Sequence, residues 1–266
     1  LDTMHGQNLS LQVHPLTEYI QSHFHMHHFH MHYTQDESYY LLDAAGKDPC
    51  VYLGIKTGTK PEEMIDALQT AQNGGKPFPA EKFVNRIPVK KHDHVLIPAG
   101  TVHCSGADTM VLEISATPYI FTFKLWDWGR VDLDGKPRPI HLEHGAANIQ
   151  WYRNTEWVHR NLVNAVAEVY TGENGTVVRT GLHELEFLDT FRFTTSSTLP
   201  VHRNGSVHML NLIDGTRAVL RSKSDAFPPL ELHYAETCIV PQAAGDYEIS
   251  SPDGSEVKVI LACVRN

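Results

Sequence analysis

Four residues of this chain have side chains that suit a metal ion. Gln12 and His14 stand two apart in LSLQVHP, a stretch that reads as a strand, and a period of two sends both side chains to one face and Leu11 and Val13 to the other. Glu37, in DESYYLLDA, and His103, in LIPAGTVH, add a carboxylate and a second imidazole. Each alone is an ordinary polar residue of a β domain. Together, an amide oxygen, two imidazoles and a carboxylate make an N/O set suited to Zn²⁺ or another divalent first-row ion, with a position left for water or a substrate oxygen.

The elements that must position these groups are short strands. Ser38 to Asp43, Val51 to Ile55, Ile87 to Val89, His94 to Ile97, Met110 to Ile114 and Phe121 to Leu125 are rich in branched and aromatic residues and are separated by Gly and Pro. One strong helix is expected over Pro61 to Gln72. Thr59 is placed to cap it, Glu62 and Glu63 favour its positive end, Met64, Ile65, Leu68 and Ala71 form its apolar stripe, and Asn73 and Gly74 stop it. A shorter helical piece is expected near Ala80 to Asn85. His92 and His94 are read as solvated residues of a polar turn. The tandem HFHMH repeat, His23 to His32, is read as a loop insertion that can take up metal adventitiously without forming a defined site.

LSLQVHP, an acidic residue ahead of YYLLDA, IPAGTVH, and TFKLWDWGR followed by GKPRPIH occur in that order over roughly the first 145 residues. In these blocks the chain resembles the type I phosphomannose isomerases, in particular their short bacterial branch. The resemblance implies an all-β fold of tandem cupin-type barrels with a short helical insertion. It also implies a metal held by Gln12, His14, Glu37 and His103, and interconversion of mannose 6-phosphate and fructose 6-phosphate through a cis-enediol. Lys124 and Arg130 match two cations of the family that follow the PAGTVH strand pair, and they are expected to hold the anionic end of the substrate. Glu113, in the strand between, is the candidate for proton transfer; a structural ion pair is its other reading. Family members usually carry a lysine two positions before the metal-binding glutamate. Here that position is Gln35, which has no ammonium, so another cation such as Lys91 compensates, or substrate is handled differently, or activity is reduced or altered.

The expected organisation is a metal-binding barrel over 1–150 with a helical insertion near 60–85, a linker or packing segment over 151–176, and a second barrel over 177–266. In the second half ETCIVPQAAGD echoes DHVLIPAGTVH, but Asp246 falls where His103 would be. His202 and His208 have no acid and terminal histidine to complete a set, so the second barrel is expected to be metal-free.

The formal charge of −9, from 22 basic and 31 acidic side chains, argues against a nucleic-acid or anionic-membrane surface; a phosphorylated small molecule would need a local cationic pocket. Cys50, Cys104, Cys238 and Cys263 have no CxxC spacing and are expected to be reduced thiols. With no membrane-length apolar run and no secretory leader, the expected compartment is the cytoplasm. The chain begins at Leu1, whereas the family carries further sequence ahead of QVHP, so a fragment of a longer protein is expected. Two other readings use the same residues. A cupin dioxygenase would hold Fe²⁺ in a similar cluster but leaves DWGR and GKPRPIH unexplained, and a sugar-phosphate-binding regulator would keep the fold and lose turnover.

Overall fold

Strands dominate the computed structural model, which describes residues 1–24, 34–116, 122–181, 183 and 186–265. The HFHMH repeat from residue 25 onward lies outside the described residues, as does residue 121, expected in a strand. The chain divides into two compact units, Leu1–Asn164 and Ala165–Asn266.

The first unit runs β1 (Leu11–Val13), α1 (Thr17–His23), β2 (Glu37–Ala44), β3 (Cys50–Ile55), α2 (Pro61–Gln72), α3 (Ala80–Phe83), β4 (Val84–Pro88), β5 (His94–Ile97), β6 (His103–Ser105), β7 (Thr109–Ser115), β8 (Phe123–Trp126), α4 (Leu142–Asn148) and α5 (Thr155–Asn161). Two antiparallel sheets result, one ordered β4-β3-β6-β1-β8 and the other β5-β2-β7. Leu11 and Val13 pack with Phe123, Leu125, Met64 and Leu68 in one buried cluster, so the apolar side of β1 is also the side that α2 helps to cover. α4 lies close against the same strands. A Cβ on Gly145 would stand 2.5 Å from Leu125 Cδ2, so any side chain there would have to displace the buried leucine.

Helix α2 has the expected bounds, with Pro61 in its first turn and Met64, Leu68 and Ala71 buried. Its N-cap is Lys60, and Thr59 instead turns its hydroxyl to the Phe83 carbonyl at 3.3 Å. His94 also departs from expectation. It is buried in β5 opposite Tyr40, because the polar KKHDH run ends in a strand, not in a solvated turn. The stretch expected as a linker carries α5, capped by the Asn154 side chain on the Trp157 amide, and the strand β9.

The second unit contains β9 (Ala167–Gly172), β10 (Gly175–Arg179), β11 (Leu188–Thr195), β12 (Thr198–Val201), β13 (His208–Asp214), β14 (Arg217–Ser222), β15 (Leu230–His233), β16 (Thr237–Val240), β17 (Tyr247–Ser250) and β18 (Val257–Val264). They form sheets ordered β16-β13-β18-β11-β10-β9 and β12-β17-β14-β15. Alternate residues of both sheets, among them Leu210, Leu212, Leu220, Ile249, Val259 and Leu261, fill a core between them. No helix among the described residues is long and apolar enough to cross a membrane.

Candidate metal centre

Strand register gathers residues that lie far apart in sequence. Leu53 of β3 pairs with His103 of β6, His103 with Gln12 of β1, and Gln12 with Lys124 of β8. Directly opposed residues of neighbouring strands point to the same face, so His103, Gln12 and Lys124 stand in one row. On β2, Glu37 and Tyr39 share a face, and Tyr39 pairs with Glu113 of β7.

His14, Glu37 and His103 converge, with ligand atoms all within 4.8 Å of one another. All three are buried, at 1%, 1% and 0% exposure. His14 Nε2 is 3.3 Å from Glu37 Oε2, and His103 Nε2 is 2.9 Å from Glu37 Oε1. The Gln12 amide reaches His103 Nε2 at 3.3 Å. Burial opposes ionisation of Glu37, but the two histidines beside it, His14 foremost, outweigh burial and hold the carboxyl well below the usual range.

The donor set fits a cation. His103 Nδ1 lies 2.8 Å from the Thr101 carbonyl, which can only accept, so Nδ1 carries a proton. In the neutral ring Nε2 then presents a lone pair to the Glu37 carboxylate, acceptor against acceptor. A proton on Nε2 or a cation between the two relieves that repulsion. Two imidazole nitrogens and a carboxylate, with an amide oxygen available if Gln12 turns its side-chain amide over, suit a divalent first-row ion.

The backbone around the cluster is tied down. Gly100, at φ +83°, donates its amide to the His14 carbonyl at 2.9 Å, so the loop before His103 is fastened to the other histidine. Arg153 is buried, and its Nη1 donates to the Pro98 and Ala99 carbonyls and the Thr101 hydroxyl at 2.8, 2.6 and 2.6 Å. Its guanidinium packs over the Tyr152 and Trp157 rings. Asp36 accepts from the Ala99 amide at 2.7 Å.

Gln35 lies between two carboxylates. Its Nε2 donates to Glu37 Oε2 at 2.9 Å and reaches Glu113 Oε1 at 3.4 Å. Burial, then the negative charge of Glu37, pushes the Glu113 carboxyl up to about 7. A group with that pKa can both take and give a proton near neutrality. Tyr39 is buried beside both carboxylates, and burial first, with their charge second, raises its phenol well above the ordinary range.

The cations of the DWGR segment gather on Asp127, which is 3% exposed. Lys124 Nζ is 3.4 Å from Asp127 Oδ2, Arg138 Nη1 is 3.5 Å from the same oxygen, and Arg130 Nη2 contacts Oδ1. Ser10 donates to Oδ1 at 2.7 Å, and Arg130 Nε to the Asp127 carbonyl at 3.1 Å. Burial raises the carboxyl, but Ser10 and the charges of Lys124 and Arg130 lower it further. Arg138 also meets Asp132 at 3.4 Å, so three cations face two carboxylates and the cluster keeps a positive surplus. Arg138 was not among the residues singled out in the sequence, although the GKPRPIH block contains it. Lys91 stands just before His92, whose Nδ1 is 3.1 Å from the Tyr40 hydroxyl.

Fold and site together define an all-β protein whose larger unit buries a His-Glu-His cluster with the chemistry of a metal centre. No protein-family model matches the chain. Mannose-6-phosphate isomerase ManA of Bacillus subtilis is 31% identical over 144 residues, 54% of this chain and 41% of the relative. The mannose-6-phosphate isomerase of Streptococcus mutans is 28% identical over 137 residues, 51% of this chain and 38% of the relative. The chain thus spans about two fifths of the length of the curated relatives it matches. Its fold is similar to the crystal structure of mannose 6-phosphate isomerase from Bacillus subtilis, with a TM-score of 0.72, 16% identity, and coverage of 96% of this chain and 71% of that one. A putative mannosephosphate isomerase from Archaeoglobus fulgidus aligns with a TM-score of 0.68 and 16% identity over 98% of this chain and 69% of that one. Over about half its length the chain is thus similar in sequence to proteins named mannose-6-phosphate isomerase, and over nearly all of it similar in fold to solved structures of that name.

Proposed function

We propose that the chain, or the longer protein to which it belongs, is a metal-dependent aldose–ketose isomerase that interconverts mannose 6-phosphate and fructose 6-phosphate in the cytoplasm. The observation that carries this reading is the buried convergence of His14, Glu37 and His103 in a chain whose relatives are named mannose-6-phosphate isomerases. In this reading each unit is a cupin-type barrel. The first holds the site, and the second, whose larger sheet begins with β9, carries no metal.

Gln12, His14, Glu37 and His103 would hold Zn²⁺ or a similar ion. When bound, the ion supplies a Lewis-acid contact to a sugar oxygen and fixes the sugar's orientation. Glu113 takes the proton from C2 of the aldose and returns it to C1, while the O2 proton passes to O1, so that the cis-enediol forms and collapses with the carbonyl at C2. The value near 7 for its carboxyl supports a group that takes the proton in the first half of the reaction and returns it in the second. Gln35 orients Glu113 and Glu37 by donating to both. Lys124 shares the row of Gln12 and His103, and with Arg130 it presents the surplus charge of the Asp127 cluster to the anionic end of the substrate.

One observation favours a second reading, a sugar-phosphate-binding regulator without turnover: Gln35 offers a neutral amide where the family usually has an ammonium. A coupled assay over a panel of hexose 6-phosphates, with metal content measured on the same sample, separates the two. Turnover of mannose 6-phosphate, and little of unphosphorylated mannose, is the expected result. Tight binding without turnover in a fully metallated sample favours the regulator, and oxygen uptake with bound iron would point to a dioxygenase.

A further inference from the structure

The second unit contains a cavity of about 570 Å³ that the proposed isomerisation does not use. It opens between the two sheets of that unit. Val177, Phe191, Phe193 and Leu261 form one wall and Leu199 and Val201 the other. Its size is that of pockets that hold small organic ligands, about 300–1,000 Å³.

Among the described residues no Lys, Arg, Asp or Glu lines the cavity, and His202, at its exposed rim, has Nδ1 2.8 Å from the Asp246 carboxylate. At its polar end stands His208, which is 2% exposed. The Asn204 carboxamide oxygen lies 3.1 Å from His208 Nε2, and the Tyr247 hydroxyl lies 2.9 Å from Nδ1. With Asn204 as acceptor, His208 donates from Nε2 and receives the Tyr247 proton at Nδ1, which is the neutral imidazole. Burial, then the charge of Arg203, depresses its pKa to about 4, so the ring adds no charge to the wall at neutral pH. At the mouth, Val169 and Tyr170 of β9 are 57% and 43% exposed and extend the apolar wall outward.

We infer that this cavity is a second ligand site, separate from the metal centre, for a small uncharged aromatic molecule. Charge and shape select that class. An anion would leave water for a wall with no cation, and a cation for a wall with no carboxylate; either transfer is strongly unfavourable. A flat apolar ring can lie against Phe191, Phe193 and Tyr170 and fill the space without unpaired polar groups.

The test uses the full chain and the uncharged fluorophore N-phenyl-1-naphthylamine, whose emission rises on transfer from water to an apolar site. Three proteins are titrated: the unmodified chain, Leu199→Trp, which fills the cavity, and Val169→Asp, which places a charge at the exposed rim. Saturable binding of one probe per chain is expected, weakened at least about tenfold in both variants. Toluene should displace the probe at least about tenfold better than benzoate. Leu199→Trp is read only if its unfolding temperature is unchanged; if it does not fold, Val169→Asp decides. Absence of saturable binding, equal affinity in the unmodified chain and Val169→Asp, or equal displacement by toluene and benzoate overturns the inference.

Discussion

His103 donates from Nδ1 to the carbonyl of Thr101, two residues before it, at 2.8 Å. That contact turns the Nε2 lone pair toward Glu37, so the orientation of one metal-type ligand is set by the loop that precedes it. The loop is in turn held by Arg153.

Arg153→Met should therefore loosen the site without touching it. The Ala99 carbonyl would lose its donor in a buried place, whereas the Pro98 carbonyl keeps the Thr101 hydroxyl at 2.6 Å and the Thr101 amide at 3.1 Å. A loss of about 1–3 kcal/mol is expected, from one orphaned buried acceptor. Thermal unfolding monitored by tryptophan fluorescence reads this unit selectively, since Trp126, Trp128, Trp151 and Trp157 all lie within it. An unchanged midpoint would show that the loop holds itself.

Glu113→Gln should lower turnover of mannose 6-phosphate by about 10²–10⁴, the range for removal of a general acid–base group. Metal content should stay at the level of the unmodified chain, because Glu113 is outside the His14, Glu37 and His103 cluster. Parallel loss of metal and activity would instead make it a structural partner of Glu37.

Arg130→Lys should impair phosphate-dependent turnover nearly as much as Arg130→Ala. Arginine reaches both the Asp127 carboxylate and its carbonyl, from Nη2 and Nε, and a single ammonium cannot reproduce that fork. A rise of about tenfold or more in KM for mannose 6-phosphate is expected in both variants. Unphosphorylated mannose, turned over slowly, should be affected far less. Full activity in Arg130→Ala would remove the anchor role.

The buried neutral His208 predicts a pH dependence in the second unit. Its folded pKa, about 4, lies below the ordinary value of 6.5. The unfolded chain therefore binds the extra proton between those values, so the stability contribution is complete above about pH 6.5 and falls as pH drops toward 4. Amide exchange of β13 and β18 should show about 1–2 kcal/mol less protection at pH 5 than at pH 7.5. His208→Gln should flatten that difference. An equal pH dependence in both proteins would assign it to other groups.

Much of this fold is legible in the sequence because alternation and helical periodicity are local. The Pro61–Gln72 helix and strands such as Val257–Val264 carry their pattern within a few residues. β6 is three residues long, and α4 and α5 have seven each with mixed composition, so none of them has enough periodicity to stand out. The metal-type cluster depends on register between residues as distant as Gln12 and His103, which no local pattern encodes; it was readable only because the motif blocks resemble a known family. The placement of Arg153 and Arg138, and the bridge made by Gln35, are tertiary facts without a spacing signal. His94 misleads because a histidine in a charged run looks solvated until the strand that buries it is in place.

The most direct measurement is the turnover of mannose 6-phosphate by chain stripped with a chelator and then given one equivalent of Zn²⁺. It is made on protein whose repeat histidines at 25–32 are replaced, with and without His103→Ala. Activity is expected to disappear on stripping and to return with one equivalent. In His103→Ala, where a buried ligand is missing, neither stoichiometric metal nor activity should return. Undiminished turnover by the stripped chain, or full recovery of His103→Ala with one equivalent, would contradict it.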